Sequence, residues 1–565
     1  MSKHIRRSYD VDRGSFDWTT FFHRDDGPDV LPNEIIFHML LAAALNEHDI
    51  TVRDQEASIE ATHAQLLSDV MACKRHLLTA LPLATLEQLE AEREIPFLIL
   101  AGGYEFIISF FTVLAIGGIA VPLSLKVTAK EGIHCAQSVQ ASAIFASQHH
   151  LSVANMIAAG SGIGATNVVV STPFILTPVQ DPSSFRIAAW RIPDQNKPAL
   201  VIFTSGTTGP PKGSAMRRYT LLMSILNSIT THRPAKDATT IQLLPLHHAT
   251  GLLVNTIPTV LAAGCVEFMC GGLDPARIWE RFLDGKLQAF SAVPTVYVRL
   301  LRYWEDVIAR LPGPRREAYR TAVSEIGSFE SGTSKLPLDV LGKWRDLTGK
   351  HIAERYSGTE FGNVYKYSAG EEVVVGSVGR KNPLVHSKLS EGNRGEILVK
   401  SPSLFAKYMN DPEGTRKAFD ADGYLKTGDI ARQEGQYFYI EGRLSVDIIK
   451  SGGFKISALD IEQELLKHPA IAEAIVVGIE DPEYGERVAA AVVLKDPTKQ
   501  MTITQLRSDL RGQLSNYKLP TLLRVVSELR KTETMKVPKK MLKTELFSGD
   551  HSEIQRWIAN KDAKL

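Results

Sequence analysis

Two rhythms of apolar and polar positions divide this chain. From about residue 95 to 400, short apolar runs such as Ala199-Leu200-Val201-Ile202-Phe203 and Gln288–Ala292 sit between amphipathic stretches. Strands alternating with helices in this way predict an α/β architecture. Near Asp420 the texture changes to "DADGYLKTGDIARQEGQYFYIEGRLSVDIIKSGG", dense in Asp, Gly and alternating residues, as β-hairpins and a connector require. Beyond it, Leu459–His468 and Thr504–Leu514 have helical spacing, while Ile471–Val477 and Val488–Leu494 read as strands. The pattern predicts a large N-terminal α/β part followed by a small α+β domain.

From Phe106 to Leu125 no residue is charged, and the run is long enough to span a bilayer. Gly117-Gly118 and Pro122 divide it, however, so the expectation is a buried helix feeding a buried strand and no transmembrane segment. The 565 residues allow about three or four ordinary domains, or two unequal ones. Hydrophobic content of 44% and charged content of 22% are those of a soluble globular protein. A net charge of +1 gives no electrostatic support for nucleic acid or a membrane surface as partner. Cys73, Cys135, Cys265 and Cys270 form no C-x-x-C pair and no His/Cys cluster, which predicts reduced thiols and no structural zinc. The N-terminal stretch lacks the apolar core of a secretory signal, and the chain is expected not to be secreted. The final Ala563-Lys564-Leu565 is a conservative variant of the peroxisomal address S-K-L. It predicts recognition by the peroxisomal import receptor, with a cytoplasmic location as the alternative.

The most informative chemistry lies in "VIFTSGTTGPPKG", Val201 to Gly213. A buried strand ends there in a polar loop. Glycines Gly206 and Gly209 let successive backbone N–H groups converge on one point, Thr204, Ser205, Thr207 and Thr208 add hydroxyl donors, and Lys212 supplies a positive charge. Triphosphate fits such a loop. It is not the common phosphate loop G-x-x-x-x-G-K-[ST], because Pro210 and Pro211 separate Gly209 from Lys212.

"FTSGTTGPPKG", "ERYSGTEFG", "YLKTGDIA" and "GRLSVDIIKSGGFKISALDIE" together resemble the adenylate-forming acyl-CoA synthetases, a superfamily that also holds luciferases and peptide-synthetase adenylation domains. The resemblance runs from about residue 30 to 545. It implies an N-terminal AMP- and acyl-binding domain over residues 1–442, built of several α/β subdomains, and a hinge at 443–445 pivoting on Ser445. It further implies a small mobile α+β domain over 446–545 and a polar tail over 546–565. In "ERYSGTEFG" it assigns Tyr356 to the adenine, Thr359 to phosphate and Glu360 to Mg²⁺, a sensible job for a hard carboxylate oxygen. Ser357 and Gly358 depart from the usual Gly-Met. "SGTSKLP" resembles the loop beside adenine and acyl group, with Ser331 and Gly332 as contacts. Asp429 matches the carboxylate that clasps both ribose hydroxyls, and Arg443 matches the second ribose contact. "RKTETMKVPKK" resembles the stretch with the catalytic lysine and puts Lys536 on it, with Lys539 and Lys540 as alternative registers. An ammonium there would neutralise charge building on the α-phosphate. Gly452 and Gly453 match the loop lining the tunnel for CoA.

"LPLHHATGL" resembles an element in which His248 gates the acyl pocket. "AVPTVYVRLL" follows the V-P-T element, and its Arg299 resembles the malonyl-CoA synthetase arginine that binds the far carboxylate. The resemblance therefore implies an ATP-dependent acid–CoA ligase using ATP, Mg²⁺ and CoA, on a short dicarboxylic acid such as malonate. Alternatives are a medium-chain, aromatic or specialised-metabolite acid, an adenylation module loading a carrier protein, and a catalytically impaired nucleotide-binding protein, the last suggested by the altered surroundings of Lys536.

Overall fold

The computed structural model describes residues 27–557 apart from 190, 205–210, 233–237, 270–272, 369, 452–453, 483, 533–535 and 549–551, together with the paired strands Tyr9–Asp10 and Ser15–Phe16. A seven-stranded sheet forms its centre. In spatial order the strands are Lys407–Tyr408, Lys212–Arg217, Pro198–Thr204, Ile119–Pro122, Pro96–Leu100, Ala143–Ala146 and Val168–Val170. The last five are parallel and the first two antiparallel. Strands such as Pro96–Leu100, apolar at every position, form here because both faces of the sheet are covered.

The uncharged run divides as its glycines require. Gly103–Ala115 is a helix buried almost all round, and Ile119–Pro122 is a central strand. The helix packs on strands of the seven-stranded sheet and on Ile50–Asp54 of a second, four-stranded sheet. Its first residue needs to be glycine: Gly103 has φ +53°, and a Cβ there would stand 1.8 Å from Asp54 Oδ2. That carboxylate accepts the N–H of Tyr104 at 2.9 Å and so fixes where the helix starts. No helix among the described residues is long and apolar enough to cross a membrane.

A three-stranded parallel sheet, Ala289–Ala292, Ser328–Ser331 and Ile352–Glu354, follows. The helical alternation expected to reach residue 400 ends earlier, with the helix Leu338–Thr348. From Ile352 to Lys400 the described chain is strands and turns without a helix, with His386–Glu391 and Arg394–Lys400 paired in a hairpin turned at Gly392. From Ile448 onward a separate six-stranded sheet with its own apolar core forms the smaller C-terminal domain. Its helix Ala458–Lys467 begins at Ser457, whose side chain accepts the N–H of Asp460. The helix expected over Thr504–Leu514 spans Ile503–Leu510 and stops before Gly512 at φ +89°.

Phe110 is fully buried within the helix between the sheets. Phe110→Ala should cost about 3–5 kcal/mol of stability, read as a lowered midpoint of urea unfolding with an unchanged slope.

Candidate active site

The polar face of the seven-stranded sheet starts at Thr204, which stands opposite Lys212 in the antiparallel strand pair. Ser205, Gly206, Thr207, Thr208 and Gly209 lie outside the described residues. The Thr204 hydroxyl donates to Glu360 Oε1 at 3.3 Å. The same oxygen accepts the Tyr408 hydroxyl at 3.1 Å. Lys212 turns to Asp411, with Nζ 2.7 Å from Oδ2, and lies 5.2 Å from the centre of the Tyr408 ring. The two-residue strand Lys407–Tyr408 thus brings one side chain to Glu360 and sets Asp411 beside Lys212.

"ERYSGTEFG" is a β-hairpin: Tyr356–Gly358 and Gly362–Lys366 pair antiparallel, and Thr359 and Glu360 occupy the turn. The buried Tyr356 donates its hydroxyl to Asp429 Oδ2 at 2.7 Å, and Arg443 Nε reaches Asp429 Oδ1 at 2.9 Å. Asp429 and Arg443 face each other across the strands Leu425–Glu434 and Tyr437–Arg443, so a single register step brings them together. Ser331 ends the middle strand of the three-stranded sheet, followed by Gly332. The buried hydroxyls of Ser331 and Thr333 have no hydrogen-bond partner, and Thr333 is held at φ +71°. Unpaired buried hydroxyls and a left-handed non-glycine residue in one loop are features of a place completed by a ligand.

Beside them lies Arg355. Its guanidinium, 7% exposed, donates to Glu330 Oε2 at 2.5 Å and to Ser291 Oγ at 3.2 Å. Ser291 in turn lines a cavity of about 40 Å³ together with Ser228, Asn255 and Gln288. Lys366 donates to Asn227 Oδ1 at 3.0 Å and to Thr231, close enough to Glu330 to feel its charge. Arg299, by contrast, lies on the exposed side of the helix Pro294–Asp306, whose Val296, Tyr297 and Leu300 are buried. The structure therefore turns Arg355, not Arg299, into the interior, because Arg299 falls between the helix positions that meet the core.

His248 follows His247 with ring centres 4.3 Å apart. Just after them, Gly251–Thr256 is a π-helical turn. The Gly251 carbonyl is taken by the Gln242 amide at 2.6 Å and the Thr256 hydroxyl at 2.8 Å, which draws the turn away from ordinary helical bonding. From the small domain, Lys536 comes within electrostatic reach of Glu360, Asp429, Arg443 and His248. Lys539 is engaged elsewhere, between Asp447 and Glu462. Ser445 is exposed in the turn joining Arg443 to Asp447. Gly452, Gly453 and Ala563-Lys564-Leu565 lie outside the described residues.

The model of AMP-binding enzymes matches residues 85–409, and that of the AMP-binding enzyme C-terminal domain matches residues 460–536. The chain belongs to the AMP-binding enzyme family. It is an AMP-forming acid–CoA ligase. The mitochondrial malonate–CoA ligase ACSF3 of Homo sapiens is 34% identical over 464 residues, 75% of this chain and 78% of the relative. The malonate–CoA ligase of Arabidopsis thaliana is 33% identical over 465 residues, 76% and 74% of the two chains. Among solved structures, ATP-bound MatB from Rhodopseudomonas palustris superposes with a TM-score of 0.76 at 24% identity, covering 90% of this chain and 99% of that one. A malonyl-CoA ligase complex with methylmalonyl-CoA and AMP gives 0.57 at 26% identity, covering 87% and 99%.

In this AMP-binding enzyme the charges of the cleft are set by their surroundings. Burial, with Asp429 adding to it, pushes the Tyr356 hydroxyl well up, so it remains a donor to that carboxylate. Burial and the Glu360 charge do the same for Tyr408. Lys536 keeps contact with solvent, yet the protein around its ammonium lowers its pKa, and Arg443 lowers it further. Tyr408, Asp411, Thr333 and Arg355 were not singled out from sequence. Arg355 alone carried a signal, its place directly before Tyr356 in the motif "ERYSGTEFG".

Burial, then His247 and Lys536, push the His248 pKa down to about 3 from the usual 6.5. The folded state therefore excludes a proton that the unfolded state accepts, so this residue costs stability as pH falls from about 6.5 towards 3 and has no such effect above. His248→Gln should flatten the loss of melting temperature between pH 7 and pH 5 by comparison with the unaltered protein, and an identical pH slope would show that the imidazole is not shielded.

Proposed function

We propose that this enzyme joins a short dicarboxylic acid, malonate first among them, to CoA through an acyl-adenylate. The observation carrying the choice of acid is the buried guanidinium of Arg355 beside Ser331 and Tyr356. Glu330 pairs with the guanidinium, and Lys366 stands near the same carboxylate. A guanidinium has five donors, and Glu330 and Ser291 use two of them. A second carboxylate could take others bidentately, whereas an alkyl chain would leave them without gain. The malonate–CoA ligases of Homo sapiens and Arabidopsis thaliana, at 34% and 33% identity, support the same reading.

In the reaction, a carboxylate oxygen of the acid attacks the α-phosphorus of ATP and pyrophosphate leaves. The CoA thiol then attacks the acyl carbonyl, and AMP leaves. Ser205, Gly206, Thr207, Thr208 and Gly209 with Thr204 and Lys212 bind the phosphates, and Thr359 adds a hydroxyl. Lys212 must exchange Asp411 for phosphate oxygen. Tyr356, Ser331 and Gly332 border the adenine, while Asp429, oriented by Tyr356 and Arg443, accepts the ribose hydroxyls. Glu360 Oε2, which neither Thr204 nor Tyr408 touches, would hold Mg²⁺. A hard oxygen among hydroxyls suits that ion, and because no cluster of three acidic, His or Cys groups occurs among the described residues, phosphate oxygens and water would complete its shell. The ion supplies charge neutralisation on the triphosphate. Lys536 places its ammonium by the α-phosphate, where negative charge grows. His248, uncharged, borders the acyl group without repelling Lys536. A turn of the small domain about Ser445 would then replace Lys536 by the Gly452-Gly453 loop and the thiol of CoA.

CoA-dependent AMP release should be fastest with malonate or methylmalonate and weak with octanoate and benzoate. Arg355→Ala should raise KM for malonate about 10- to 100-fold, the range for a lost charged hydrogen-bonded pair, while Arg299→Ala leaves it unchanged. A preference for a monocarboxylic acid would overturn the dicarboxylate reading and keep the ligase. Lys536→Ala should lower malonate-dependent ATP–pyrophosphate exchange about 100- to 1000-fold with little change in KM for ATP.

A further inference from the structure

Lys539 is a buried cation of the small domain, held between two carboxylates. Its ammonium lies 2.5 Å from Asp447 Oδ1 and 2.6 Å from Glu462 Oε1, and the three side chains are only 12%, 13% and 12% exposed. Each carboxylate is held in its turn. Glu462 Oε1 accepts the N–H of Val476 at 2.6 Å, and Asp447 Oδ2 accepts the N–H of Arg443 at 2.9 Å. Burial works against the charge on Lys539, but Glu462 and Asp447 outweigh it and raise its pKa, so the ammonium persists.

The position of this group in the chain gives it a consequence for chemistry. Lys539 opens the helix Lys539–Phe547, three residues after Lys536. Behind Lys536 the chain is closed by a bond from Thr532 N–H to the Lys536 carbonyl at 2.8 Å and one from Lys536 N–H to the Thr532 hydroxyl at 3.2 Å. At the other end, Asp447 closes the turn over Ser445, since its own N–H donates to the Arg443 carbonyl at 2.7 Å. Arg443 bonds Asp429 at 2.9 Å. One line of contacts therefore runs from the Lys536 loop through Lys539 and Asp447 to the residues proposed to hold the ribose.

We propose that Lys539 is a positioning residue for adenylate formation, tying the Lys536 loop to Asp447 and so fixing where the Lys536 ammonium stands relative to Asp429 and Arg443. The proposal rests on the reading of Lys536 given above. Lys539 touches no substrate itself. A buried cation between two carboxylates resists displacement because any shift leaves a charge unpaired, which makes it a stiffer tether than an apolar contact. Rotation about Ser445 would have to break the Arg443 N–H bond to Asp447 but would carry Lys539, Glu462 and Lys536 along as one body. The tether therefore bears on the half-reaction that uses Lys536 and not on the one that follows rotation.

The test measures the two half-reactions separately on the full-length protein. ATP–pyrophosphate exchange with malonate reads adenylate formation, and thioester formation from supplied malonyl-adenylate and CoA reads the second. Lys539→Met should lower kcat of exchange about 10- to 100-fold, the cost of a displacement of roughly 1 Å, with KM for ATP and malonate changed less than about threefold. Thioester formation should change less than about threefold, and Lys539→Arg should recover most of the exchange rate. Because Lys539→Met strands two buried carboxylates, the triple variant Lys539→Met, Asp447→Asn, Glu462→Gln keeps the test open if the single variant does not fold, with the same split expected. Unaltered exchange in a folded variant, or equal losses in both half-reactions, would overturn the proposal. Full exchange activity in Lys536→Ala would overturn the reading of Lys536 and this proposal with it, whereas loss in Lys536→Ala with normal exchange in the Lys539 variants would overturn this proposal alone.

Discussion

The Asp429 carboxylate joins parts of the molecule that are far apart in the chain. Tyr356 reaches it from the hairpin after the three-stranded sheet, Arg443 reaches it from the last strand before the small domain, and the charge of Lys536 approaches from beyond. An ionised carboxylate at 9% exposure is stable only when its oxygens are satisfied, and here a phenol and a guanidinium do so. The result is a rigid acceptor at the boundary of two domains. The hairpin that carries Glu360 begins at Tyr356, so the same contact also steadies the carboxylate proposed for magnesium.

Around this anchor the cleft is built from pairs in which one partner orients another. Tyr408 and Thr204 converge on Glu360, Asp411 faces Lys212, and Glu330 faces Arg355. The arrangement lowers the entropy to be lost when nucleotide arrives, because the side chains already stand in one geometry. The loop Ser331–Thr333 is the exception. Its unpaired hydroxyls and left-handed backbone carry a cost in the free protein that a bound ligand can relieve.

Much of the α/β frame was legible because apolar runs such as Pro198–Thr204 and the divided segment Gly103–Pro122 leave few alternatives once glycine and proline positions are respected. The β-region from Ile352 to Lys400 was not, since its alternation is weak and its hairpins depend on glycines at positive φ rather than on apolar spacing. In the site, Thr204, Tyr356, Glu360, Asp429 and Arg443 stood out as parts of long motifs, and strand register brings them together. Arg299 and Arg355 show the opposite: helix phase exposes the first, and a strand end buries the second, and neither fact is visible in residue type alone. Asp411 was hidden because its importance comes from a pairing with Lys212, 199 positions earlier in the chain, and Tyr408 because its hydroxyl meets Glu360, 48 positions earlier.

That long-range pairing bears on how the protein matures. The strand Lys407–Tyr408 is two residues long and seals the outer edge of Lys212–Arg217, an edge that would otherwise offer unpaired backbone groups to another chain. Closing it requires roughly 200 intervening residues to have been made and ordered, a contact of high sequence separation and correspondingly slow formation. A nascent or truncated chain ending before Lys407 would hold a nearly complete central sheet with a sticky border and an unfinished nucleotide cleft. ATP binding should accordingly be among the last properties a folding molecule acquires, and a chaperone's interest in this protein should fall on that open border.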